Sequence, residues 1–210
     1  MSETDRLRKE TARRIAADIA ENASDWASAR SRALEELREI FGLVPANAVP
    51  GAAEIESAVR EHYAVFEPEE HARVLRKKRL LALSLLETLE EFDIFLTGAV
   101  LNGCAHADSN IVFDVFCDDV KHFEAALMDC GIEFEPVESP RSPMPDPLES
   151  LGALIAPRGA REAEGVRFDV RSSAERGRNP FKRKPDAHQL QWEAQGRISA
   201  KALREALSEV

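Results

Sequence analysis

Residues Leu96–Phe116 read LTGAVLNGCAHADSNIVFDVF, and this stretch decides the fold. It opens on the end of a short aromatic and β-branched run, Phe92–Thr97, suited to a strand and stopped by Gly98. It closes on a second such run, Ile111–Cys117, apolar except for Asp114. Between the two runs, Gly98 and Gly103 bracket a helical turn. A strand that delivers a glycine into a helix start leaves backbone amides free to face a phosphate, and only glycine lets that phosphate come close. Alternate residues of a strand point to one face, so Asn110, Val112 and Asp114 are expected on the same side.

On the N-terminal side the period is helical. Leu7, Thr11, Ile15 and Ile19 recur every four positions, which places them on one helix face. Trp26, Ala33, Leu37, Ile40 and Phe41 repeat the pattern up to Gly42 and Pro45. Pro50 and Gly51 introduce a shorter helix carrying Ile55, Val59 and Tyr63. A fourth helix starts at Pro68, where the missing amide proton costs nothing in the first turn. Its apolar positions Val74, Leu75, Leu81, Leu85, Leu86 and Leu89 exceed one narrow stripe, so it must be packed on at least two sides.

On the C-terminal side, Asp118 is expected to cap a helix with core face Val120, Phe123, Leu127 and Cys130, closed by Gly131. Ile132–Val137 alternates as a half-buried strand, and the proline-dense SPRSPMPDP (139–147) is an extended loop. Leu151–Ala156 and Val166–Arg171 read as strands of a hairpin joined by PRGAREAEG, and a final helix starts near Ser199. This order predicts an α+β protein: a helical N-terminal module (1–66), a small mixed-sheet domain with flanking helices (67–175), and a basic loop with a C-terminal helix (176–210).

The 210 residues carry 28 Lys and Arg against 38 Asp and Glu, a formal net charge of −10, so no global field draws the chain onto DNA or an anionic membrane. The exception is a basic stretch of Arg167, Arg171, Arg176, Arg178, Lys182, Arg183 and Lys184. It either receives nucleotide phosphates or an RNA backbone, or is a solvated loop that offsets acidic neighbours. No apolar run has the length of a membrane span and MSETDRLRKE is too polar for a signal peptide, which predicts a soluble, cytoplasmic protein. Cys104, Cys117 and Cys130 form neither a disulfide framework nor a CxxC pair and read as reduced core residues. The N-terminal helices, rich in Arg–Glu spacings of three and four, present either solvated faces or a homodimer surface.

The Leu96–Phe116 pattern resembles the signature of the nucleotidyltransferase superfamily, with Gly98 at the family's first glycine, Ala99 at its serine, and Gly103, Ala105, Asp108, Ser109 and Ile111 following without a gap. Together with the helical first third, the Asp118–Asp119 pair and the Gly131–Glu135 segment, it is similar to a bacterial group whose metal-binding acids are eroded. The resemblance implies a phosphate loop at Gly98, Ala99, Gly103 and Ser109, and a magnesium-bound nucleoside triphosphate held by carboxylates on the next strands. Asn110 and Val112 stand at the family's first two carboxylates, and Asp169 resembles the third. Asp114, on the same face as Asn110, is the compensating candidate: Asp114 and Asp169 are the expected catalytic and metal residues, with Asn110 and Arg171 beside the nucleotide. Otherwise Asp114 is a strand-end carboxylate, hydrogen-bonded or solvated near Asp118. Three functions follow: nucleotide or phosphate-ligand binding, transfer of a nucleoside monophosphate to an acceptor, or a non-catalytic interaction module.

Overall fold

The computed structural model describes residues 2–22, 26–42, 45–140, 142–156 and 162–209, excluding the side chains at 22, 27 and 41. Two compact units are present, and the division falls between Ala72 and Arg73. The first, which also takes Asp186–His188, contains α1 (Glu3–Asn22), α2 (Trp26–Phe41), α3 (Ala52–Phe66) and the start of α4 (Pro68–Thr88). The four-residue period buries Thr11, Ile15 and Ile19 of α1, and the Thr11 hydroxyl donates to the Leu7 carbonyl at 2.8 Å, so its burial leaves no orphan. In α2, Ala33 and Leu37 are buried but Ile40 is 64% exposed, off the core face expected for it. The Phe41 side chain lies outside the described residues. Gly51 starts α3 with its N–H donating to Glu54 Oε2 at 2.9 Å, and Ile55, Val59 and Tyr63 are buried as their spacing requires. Arg60 is buried in this unit because its Nε reaches Asp186 Oδ2 at 3.1 Å.

The second unit is built on a six-stranded mixed sheet: β1 (Asp93–Thr97), β2 (Ile111–Phe116), β3 (Glu135–Pro136), β4 (Glu149–Ile155), β5 (Glu164–Arg171) and β6 (Arg197–Ile198), in the order β3-β4-β5-β2-β1-β6. Among the described residues, only β2 and β5 run parallel; every other neighbouring pair is antiparallel. One face is the core. Phe113 and Phe168 stack at 5.3 Å between centroids, and Phe123 of α6 (Val120–Asp129) meets Phe168 edge-on at 5.5 Å. Leu81, Leu85 and Leu86 of α4, Leu89 just after its end, and Leu203 of α7 (Ala200–Ser208) belong to the same core. Each fully buried Phe or Leu is worth about 1.5–3 kcal/mol of transfer free energy. Ser199 caps α7 as expected, accepting from the Ala202 N–H.

Several expectations are corrected. Asp119, not Asp118, caps α6 by accepting from the His122 N–H at 3.1 Å. Asp118 instead accepts from Ser172 Oγ at 2.8 Å and the Ser173 N–H at 3.0 Å, tying the end of β2 to the end of β5. Ile132–Val137 contributes only Glu135–Pro136 to the sheet, both exposed, because it is an edge strand in which Pro136 has no N–H to pair. Of the three free cysteines, Cys104 is buried, Cys117 partly buried and Cys130 exposed at the end of α6. The loop centre at 157–161 and Arg141 lie outside the described residues. Among the described residues, no helix is long and apolar enough to cross a membrane.

Candidate functional site

The site begins where β1 turns into the short helix α5 (Gly98–Asn102). Gly98 has φ +71°, and Gly103, which closes α5, has φ +81°; both conformations are costly for a residue with a Cβ. A Cβ on Gly98 would stand 3.6 Å from the Val112 Cβ, so Val112 of β2 lies directly against this glycine. Asn110, two residues earlier, is exposed, and its Oδ1 lies over the Gly165 backbone of β5, where a Cβ would stand only 2.1 Å away. Ala99 is packed against the core. The Ser109 hydroxyl accepts from the His106 N–H at 3.0 Å, and the Ser109 carbonyl accepts from Lys78 Nζ at 2.8 Å. The hydroxyl is thus already engaged in holding its own loop.

Parallel pairing of β2 with β5 sets Asp114 opposite Asp169, and both are 2% exposed. Each carboxylate is met by arginine. Arg171 Nε donates to Asp114 Oδ1 at 2.7 Å, its Nη2 reaches Asp169 Oδ2 at 3.5 Å, and its Nη1 donates to the Pro145 carbonyl at 2.7 Å. Arg167, two residues before Asp169 on the same strand, donates through Nε to Asp169 Oδ1 at 3.0 Å and through Nη2 to Oδ2 at 3.3 Å. Ser150 of β4, opposite Asp169 in register, donates its hydroxyl to Asp169 Oδ1 at 2.7 Å. Of the four carboxylate oxygens of this pair, Asp114 Oδ2 is buried with no hydrogen-bond partner among the described residues. Burial therefore pushes the Asp114 carboxyl above its ordinary range, although the Arg171 bond and charge pull the other way.

Toward the β1–β6 edge the same face turns aromatic and cationic. Arg176 follows β5 in a 3-10 turn (Ser173–Gly177), stacks on Phe95 with its guanidinium carbon 4.5 Å from the ring centroid, and pairs with Asp93. Arg197 of β6 lies 4.7 Å over Phe116 and 5.9 Å from Phe95. Of the basic stretch, Arg167, Arg171 and Arg176 thus contact this face, while Lys182 and Lys184 are exposed. Arg197 was invisible to the sequence reading because its place depends on a two-residue strand.

A second buried pair supports the site from below. Lys78 of α4 is 2% exposed and pairs with Glu164, the first residue of β5, which Lys77 also meets at 2.7 Å. Burial alone would raise the Glu164 carboxyl, but the hydrogen bonds from Lys77 and Lys78 outweigh it and hold it below the usual range. Arg79, also buried, donates to the Val100 and Leu101 carbonyls at the end of α5, pairs with Glu193 at 2.6 Å and stacks on Trp192 at 4.5 Å. Lys78 and Arg79 sit in VLRKKRLL, whose charges hid them from a reading based on apolar periodicity.

No protein-family model matches the chain, and no curated protein matches it in sequence. Among solved structures it is similar to a cytoplasmic RNA terminal U-transferase, at 15% identity and a TM-score of 0.34 over 52% of this chain and 35% of that one. It is also similar to Cid1, an RNA terminal uridylyl transferase, at 16% identity and a TM-score of 0.31 over 56% of this chain and 36% of that one. The chain spans about a third of the length of either enzyme. Its own fold is α+β, helices followed by a mixed sheet with flanking helices.

Proposed function

We propose that this chain is a nucleotidyltransferase-fold protein that binds a nucleotide or another phosphate-bearing ligand on the arginine-rich face of its sheet, without cation-assisted transfer. The observation that carries this reading is the bridge from Arg171 to both Asp114 and Asp169. Two carboxylates met by the guanidiniums of Arg171 and Arg167 already have their charge balanced inside the protein. A divalent cation needs several anionic oxygens. Here it would have to displace Arg171, a guanidinium buried to 4% exposure, and Val112 beside Gly98 offers no oxygen in exchange. Among the described residues, no group of three or more His, Cys, Asp or Glu is arranged to hold a metal ion. The pair therefore does not fit a magnesium ion.

Arginines suit the remaining task. Guanidinium forks match phosphate oxygens, and Arg176 and Arg197 are held in place by aromatic rings on the same face. A thermal-shift series with nucleoside triphosphates tests the reading: ligand at one hundred times its Kd adds about 2.7 kcal/mol of stability. The expected result is the same upward shift with magnesium or with EDTA. A shift that requires magnesium, or incorporation of labelled nucleotide in the presence of manganese, would overturn it in favour of transfer. No shift with any nucleotide would leave the interaction-module reading.

A further inference from the structure

We infer that a cavity of about 310 Å³ beside β1 and β6 is the subsite for a nucleoside monophosphate, with Arg176 and Arg197 receiving the phosphate and Phe95 and Trp192 flanking the nucleoside. The choice of ligand rests on the reading above; the choice of site rests on observations of its own.

The first is an unsatisfied donor. Arg197 Nη2 donates to the Arg176 and Arg178 carbonyls, which fixes the plane of the guanidinium. Its Nη1 is buried with no hydrogen-bond partner; the charges of Asp114 and Asp93 attract Arg197, but neither carboxylate forms an ion pair with it among the described residues. A buried N–H without an acceptor is costly, and a small shift of the guanidinium toward the cavity that Arg197 lines would give it a ligand oxygen.

The second is the charge pattern. Arg176 and Arg197 share the Phe95 ring, at 4.5 and 5.9 Å, and both line the cavity. Two cations gathered on one ring repel each other; Asp93 pairs with Arg176, and Asp114, already bonded by Arg171, also attracts Arg197, so arginines still outnumber acids on this face. A phosphomonoester, carrying between one and two negative charges at neutral pH, completes the balance. The cavity is also lined by Ser199, the N-cap of the nine-residue helix α7, whose N-terminal field favours an anion.

The third is the size and the remaining lining. A cavity of about 310 Å³ is at the small end of the range for organic ligands, more than a bare phosphate requires. Phe95 and Trp192 add aromatic surface, and Asn179 is fixed at the cavity by donating its Nδ2 to the Gln195 carbonyl at 2.9 Å. Aromatic surface suits a nucleobase, which a nucleoside carries and an inorganic anion lacks.

The test uses a Trp26→Phe background, so that fluorescence reports Trp192 alone, with AMP, adenosine and inorganic phosphate titrated separately in EDTA. The expected result is a saturable change with AMP, weakened about tenfold or more by Arg176→Ala and by Arg197→Lys, with adenosine and phosphate each binding more weakly than AMP. Arg176 is exposed and its replacement leaves the core untouched, so this variant separates lost binding from lost fold. AMP binding unchanged in both variants would overturn the subsite while leaving nucleotide binding to another part of the face. Inorganic phosphate binding as tightly as AMP would overturn the nucleoside assignment. AMP and triphosphates failing to bind at all, by fluorescence and by thermal shift, would overturn the subsite and the proposed function together.

Discussion

Arg171 Nε donates to Asp114 Oδ1 at 2.7 Å across two neighbouring parallel strands, reaching back from the level of Phe116 to a carboxylate two residues earlier. The same side chain touches Asp169 and the Pro145 carbonyl, so one guanidinium ties β2, β5 and the proline-rich loop together. The consequences run from stability to ligand choice.

Removing one member of this cluster strands the other. Arg171→Met leaves the Asp114 carboxylate buried and unpaired and is expected to cost about 3–5 kcal/mol in urea unfolding. The double variant Arg171→Met with Asp114→Leu is expected to recover most of that loss, because a similar volume is then filled without a charge. Simple additivity of the two single losses would show that the residues do not act as a pair.

The acid itself sets a pH signature. A carboxyl raised in the folded state contributes most to stability below the ordinary aspartate range, and that contribution is lost as pH rises through the raised value. Asp114→Asn cannot titrate and escapes the decline. Urea midpoints at acidic and neutral pH are therefore expected to show the Asn variant improving relative to wild type as pH rises. A difference independent of pH would contradict the assignment.

Glu164 has the opposite sign. Its carboxyl is held low by Lys77 and Lys78, so its contribution is present above the ordinary glutamate range and lost as pH falls through the lowered value. Glu164→Leu leaves the Lys78 ammonium buried without its acid and is expected to cost about 3–5 kcal/mol at neutral pH and less in acid. Lys78→Met with Glu164→Leu is expected to restore most of the neutral-pH stability, measured by the same unfolding curves.

Gly98 separates backbone strain from packing. A Cβ there makes ordinary contact with Val112, so Gly98→Ala is expected to cost only the left-handed conformation, about 1–2 kcal/mol. A loss well beyond that, read from urea unfolding, would mean that the neighbouring strand is displaced.

Much of this is legible in the sequence. The strand–glycine–turn–strand order of Leu96–Phe116, the strand alternation that aligns Val112 with Asp114, and the starts of α3, α4 and α7 are local properties, written in spacing and capping residues. What was not readable is long-range. Arg171 was expected beside a nucleotide, yet its contact with Asp114 depends on the parallel pairing of β2 and β5, which no local pattern encodes. Asp114 is buried and hydrogen-bonded to Arg171 rather than solvated, for the same reason. Lys78 and Arg79 were hidden by their charge, and Arg197 by the brevity of β6. Asp118 and Asp119 are adjacent and chemically alike, and only the geometry of the β2–α6 turn decides which one caps.

Calorimetric titration of manganese into the wild-type protein, and into Arg171→Ser for comparison, bears most directly on the balance between these acids and arginines. Negligible heat in the wild type through the millimolar range, with measurable binding once the guanidinium is gone, is the predicted outcome. Stoichiometric manganese binding by the wild type, abolished by Asp114→Asn or Asp169→Asn, would show that the carboxylates serve a cation after all.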